Sequence, residues 1–162
     1  MRLHSETSAL ILNSWDHYQS SVHELSVRAF QILFLKHPET RNDIAAIDRL
    51  PLLVSDGLAV LVQGLEGDSE DAEKVIEALA ETLVHTQDDS EDLLGRYLAS
   101  FRACFIEALK ELAPPSGFRD THEYAWESLF AAIEARVSHA KQAVLVSHRR
   151  SEKAQRLGFL VN

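Results

Sequence analysis

The chain has 162 residues, 46% of them hydrophobic and 25% charged, a length and balance that point to one soluble domain. Its single cysteine, Cys104, excludes an internal disulfide, and a chain of this size buries roughly 68–70% of its unfolded surface without one. With 16 Lys and Arg against 25 Asp and Glu the formal charge is -9, which argues against nucleic acid as a partner. The apolar runs at 50–54 and 143–146 fall well short of the about 18 residues of a membrane span, and the first fourteen residues lack a signal peptide's layout. A cytoplasmic protein with no integral membrane segment is expected. Six Gly, four Pro and no alternating strand-like runs favour an all-α fold.

Apolar residues recur at three and four, which predicts six or seven helices. The first starts near Thr7 or Ser8, carries Leu10, Ile11, Trp15 and Tyr18 on one side and ends near Ser20. Ser21 and Glu24 have capping-box spacing before a stripe of Leu25, Ala29, Phe30, Leu33 and Phe34, and His37-Pro38 ends that helix. A short helical turn from Pro38 and a loop over 43–48 follow. Pro51 suits the first turn of a helix with Leu53, Gly57, Val60, Leu61 and Gly64 on one face, stopped by Gly67-Asp68-Ser69.

The next helix, capped by Ser69 or Asp68, runs to about Thr86, with Ile76, Leu79, Ala80 and Leu83 inward and Glu73, Glu77 and Glu81 outward. An acidic loop spans 87–92. Leu94, Tyr97, Leu98, Phe101, Phe105, Ala108 and Leu112 then keep a 3.6 period until Pro114-Pro115-Ser116-Gly117 breaks the chain. The last helix starts near Asp120 or Thr121 and runs past Val144, as far as Gln155, carrying Tyr124, Trp126, Phe130, Ile133, Val137 and Val144. Trp15, Leu33, Phe34, Val60, Phe101, Phe105, Phe130 and Ile133 are the expected core.

Charge is uneven along the chain. Residues 136–162 hold six cations against Glu152, about +5, and the remaining ten cations and twenty-four acids leave about -14 elsewhere. This basic end suits the negative end of a helix dipole as a solvated face. It also offers a contact for a homodimer or a protein partner. No HExxH, CxxC, GxSxG, GxGxxG or GxxxxGK[ST] motif occurs. Cys104, flanked by Phe101 and Phe105, reads as a buried thiol. The eight histidines show no zinc-ligand spacing.

The order of several features carries more information than any one of them. Leu12-Asn13-Ser14-Trp15, Phe34, His37-Pro38-Glu39-Thr40, Gly57 with Val60, and Ala125-Trp126 with Phe130 follow one another in sequence. Over about residues 8–146 this order resembles the globin family, with 12–40 similar to vertebrate-type globins and Ala125-Trp126 similar to bacterial single-domain globins. The resemblance implies one globin domain, with 147–162 as a basic extension, and seven to eight helices packed three-on-three. It also implies a b-type haem between the fifth and sixth helices, held by one histidine, with the opposite face open to a diatomic gas.

Carried over residue by residue, the resemblance places Gly57 where two helices approach, Val60 above the iron and Phe30 opposite on the second helix. Leu53, Leu79, Tyr97 and Phe101 complete the walls. Asp56 takes the position usually held by a distal histidine or glutamine; ionised, it has no proton to donate, and protonated, turned to solvent or leaving an apolar site are its three alternatives. Ile44 stands where the porphyrin-packing phenylalanine is expected. His85 lies 28 residues after Gly57, the family's spacing for the axial ligand. Helical phase disagrees, because His85 falls about 200° round from Leu83. A continuous helix puts Leu83 at the pocket, with Leu79 four residues before it.

Three uses follow from this resemblance. One is a haem globin that binds oxygen or another diatomic gas, with His85 on the iron. A second is nitric-oxide dioxygenase or peroxidase chemistry with a separate reductase. The third is a haem-free sensory or interaction module, which Leu83, Ile44 and Asp56 favour.

Overall fold

A computed structural model describes residues 5–44, 50–65, 74 and 93–158. The described residues are helical, without strands. Helix α1 (Ser5–Tyr18) leads through a 3-10 turn (Gln19–Ser21) into α2 (Val22–Lys36), and α3 (Thr40–Ile44) and α4 (Leu50–Gly64) follow. Helix α5 (Leu93–Glu111) and the 39-residue α6 (Asp120–Gly158) complete the fold. Among the described helices α2 and α5 make the most extensive packing; α2 also packs on α4, and α6 packs on α1 and α5. The helix expected from Ser69 to Thr86 and the acidic loop after it lie outside the described residues, Lys74 excepted.

Boundaries agree with the sequence to within a few residues, with two differences of chemistry. Ser21 forms no side-chain cap. Its hydroxyl turns back to donate to the Tyr18 carbonyl at 3.4 Å, since the tight turn feeds directly into α2 and gives that hydroxyl a nearer acceptor. Expected to face inward, Tyr124 is instead 68% exposed. It precedes the buried Trp126 by two residues, which places it about 200° round the helix.

Helix ends show where the remaining polar groups go. Helix α2 stops at Lys36, as Pro38 requires, and the His37 N–H still reaches the Leu33 carbonyl at 2.7 Å. The last carbonyls of α5 have no helical partner of their own. The Tyr18 hydroxyl donates to Leu109 O at 2.8 Å, and His17 Nε2 lies 3.0 Å from Leu112 O. Two α1 side chains thereby hold the end of a helix about ninety residues away. Gly117, with φ +84°, makes the turn that closes on Pro114 O at 2.8 Å, a conformation that favours glycine.

The core is a chain of aromatic rings. Phe34, Phe30 and Phe101 are linked at centroid separations of 6.1 and 4.7 Å, and Phe101 meets both Phe105 at 5.9 Å and Phe130 at 6.4 Å. Phe105 in turn lies 4.9 Å from Phe130 and 6.2 Å from Trp126, which meets Trp15 at 6.0 Å. Tilted and edge-on rings at these distances are favourable beyond their burial. The Trp126 indole N–H donates to Ser14 Oγ at 2.9 Å, and Ser14 Oγ donates to Ile11 O at 2.9 Å. Of the expected core, Trp15, Leu33, Phe101, Phe105, Phe130 and Ile133 are buried, whereas Phe34 and Val60 are half-buried. Phe34 lies at the rim, with the Arg41 guanidinium 5.6 Å from its ring centre.

Candidate functional site

Helix α4 supplies the wall on which most of the expected site residues stand. Pro51 occupies its first turn, where a missing N–H costs nothing. Leu50, Gly57, Leu58, Leu61 and Val62 form the buried face, and burial on this scale fixes which side of the helix meets its neighbours. Leu53 and Val60 lie on the edge of that face and are half-buried, with Gly57 buried between them. A residue of any other type at Gly57 would add a side chain to a covered position. Ser55 is buried and donates to the Leu52 carbonyl at 2.8 Å, so its hydroxyl is satisfied within the helix.

Asp56 is exposed. Of its three alternatives, the structure has the carboxylate in solvent. The α4 edge therefore presents the aliphatic side chains of Leu53 and Val60 and no hydrogen-bond donor from position 56.

Phe30 and Phe101 are brought together from α2 and α5. Both are buried and their ring centres are 4.7 Å apart. Tyr97, one helical turn before Phe101, is half-buried. Ile44 is the last residue of α3, and its side chain lies outside the described residues. Leu79, Leu83 and His85 also lie outside them. Among the described residues no three His, Cys, Asp or Glu side chains cluster as a metal site. No described helix is long and apolar enough to cross a membrane.

The polar contacts that sequence reasoning missed surround the far end of α5. Arg28 holds Glu111 through Nε at 2.5 Å and Nη2 at 3.0 Å, and Lys36 pairs with Glu107. The Arg28 bond keeps the Glu111 carboxyl below the usual range. Lys110 meets Glu123 at 2.8 Å and Arg102 meets Glu134 at 3.2 Å, tying α5 to α6. Their partners lie 13 to 83 residues away, so no local pattern announces them. Burial pushes the Tyr18 hydroxyl up to about 12 and raises the Cys104 thiol. A thiol raised in this way and buried is a packing group rather than a nucleophile.

No family model and no curated protein matches this chain.

Proposed function

We propose that this chain is a b-type haem-binding globin that takes up oxygen or another diatomic gas. Bound haem would supply an iron with one open position. The chain would supply an apolar cavity, the exclusion of water and the axial ligand, for which His85 is the assignment. The observation that carries the reading is the α4 edge: Gly57 is buried, with Leu53 and Val60 half-covered beside it, on a helix that packs against α2. A flat apolar macrocycle fits such aliphatic edges. Phe30 and Phe101 add aromatic surface from α2 and α5. The pairing of α1 with α6, α2 with α4 and α5, and α5 with α6 also supports the reading.

With Asp56 in solvent, a gas beside Val60 receives no proton from that side chain. The proposal is therefore of an apolar gas site, in which oxygen gains no hydrogen bond from α4. Haemin titration followed by absorption tests the reading. The native chain should give an intense Soret band at one equivalent, and Val60→Arg, which puts a charge on the apolar edge, should weaken uptake without unfolding the chain. A folded native chain that gives no such band overturns the proposal and leaves the haem-free module, with Leu83 filling the proximal side.

A further inference from the structure

Helix α6 is about 58 Å long at 1.5 Å per residue, and only its first half packs against the body. Ala125, Trp126, Leu129, Phe130, Ile133 and Val137 are its buried residues. Residues 145–158 are exposed throughout. The side of α6 away from the core forms a straight stripe at the helical period: Asp120, Tyr124, Glu127, Ala131, Ala135, Ser138, Gln142, Leu145, Arg149, Lys153 and Arg156. All of these are exposed except Ser138, which is half-buried. Tyr124 and Leu145, 68% and 42% exposed, are apolar groups left on it. The first half of the stripe is acidic and the second half basic.

Four of the five charges on this stripe are arranged symmetrically about Ser138, Lys153 being the one with no counterpart on it. Asp120 and Arg156 each lie eighteen residues from it, Glu127 and Arg149 eleven, and Ala131 and Leu145 seven. Two copies of α6 laid antiparallel on a two-fold axis at Ser138 would set Asp120 against Arg156 of the second copy, Glu127 against Arg149, and the small Ala131 against Leu145. Each contact occurs twice, as an isologous interface requires. Among the described residues none of Arg149, Lys153 and Arg156 is in an ion pair. Parallel pairing would instead set like charges side by side.

We infer that the outer face of α6 is a self-complementary docking surface for a second copy of this chain. This goes beyond the haem reading and does not depend on it. The basic half alone would suit any polyanion, but the body carries about -14, which opposes an anionic membrane or nucleic acid. The symmetric spacing of acids and bases favours a second copy.

Sedimentation velocity at micromolar concentration tests the inference. The native chain should be a dimer at about 0.1 M salt, where the screening length is about 10 Å, and dissociate toward about 1 M, where it is about 3 Å. Glu127→Arg and Arg149→Glu should each be monomeric with unchanged helicity, because each sets like charges together twice. Mixing the two variants should give a heterodimer, and the double variant E127R/R149E should dimerise again. Ser138→Cys should form a self-disulfide under mild oxidation, since the native Cys104 is buried. A native chain that stays monomeric at low salt overturns the inference, as does a double variant that fails to recover. Binding of a monomeric chain to anionic vesicles or to DNA through residues 149–156 also overturns it and reassigns the basic half.

Discussion

Phe105→Ala is the sharpest test of the aromatic core. Phe105 is fully buried and stands between Phe101, Phe130 and Trp126, at 5.9, 4.9 and 6.2 Å. Those rings come from α5 and α6 and are themselves buried, so few neighbours are free to collapse into the space. Removing a ring from such a site costs about 3–5 kcal/mol, the transfer term plus a residual cavity. For a domain of this size each kcal/mol moves Tm by about 2–4 °C, so a fall of about 6–20 °C is expected. Urea unfolding followed by circular dichroism should show a lower midpoint at unchanged slope. Phe34→Ala, at the half-buried rim, should cost clearly less. The pair Phe105→Ala and Phe130→Ala should be non-additive because the two rings touch. A loss of less than about 1 kcal/mol for Phe105→Ala, with the slope unchanged, would refute a close-packed aromatic centre.

Tyr18→Phe removes the bond to Leu109 O and should cost about 1 kcal/mol in thermal or urea unfolding. Because the folded hydroxyl is raised to about 12 above its ordinary 10.0, the folded state holds its proton longer. Stability should thus fall as pH rises from about 10 toward about 12, and Tyr18→Phe should flatten that slope. The Glu111 carboxyl, held down by Arg28, should titrate below its ordinary range in carbon-detected NMR and return toward it in Arg28→Ala. The contribution of that pair is present above the unfolded carboxyl range and lost as pH falls through the folded one. Asp56→Ala, at an exposed position, should shift stability by no more than about 0.5 kcal/mol in urea unfolding. Deleting residues 149–162 should leave the remaining domain with the Tm of the full chain at high salt, because residues 149–158 are exposed.

The sequence carried the all-helical class and most of the core because both rest on period. Trp15, Phe105, Phe130 and Ile133 fall at helical spacing and are buried. Pro38 and Pro114 announced their stops through a local steric rule. Period alone says less about rim positions such as Phe34 and Val60, where burial depends on which neighbour lies across the gap. Tyr124 shares its helix with Trp126 and Phe130, but its phase sets it on the outer face. Ser21 and Glu24 had the spacing of a capping box, but the tight turn before α2 offered the hydroxyl a closer carbonyl. The ion pairs and the bonds that finish α5 join residues far apart in the chain, so no short motif encodes them. At the candidate site the sequence named Phe30 and Phe101, which meet, and left Asp56 with three alternatives, of which its exposure bears on the one that turns the side chain to solvent. The sequence's conflict between spacing for His85 and phase for Leu83 concerns residues outside the described ones.

That conflict makes His85→Ala, followed by the absorption spectrum of the haemin-titrated protein, the most direct test of the proposed function. The native chain should bind one haem with an intense Soret band. His85→Ala should lose most of that affinity and show an altered spectrum in whatever complex remains. His37→Ala and His139→Ala should match the native protein. A His85→Ala spectrum identical to the native one, or a folded native chain that takes up no haem, would contradict the account.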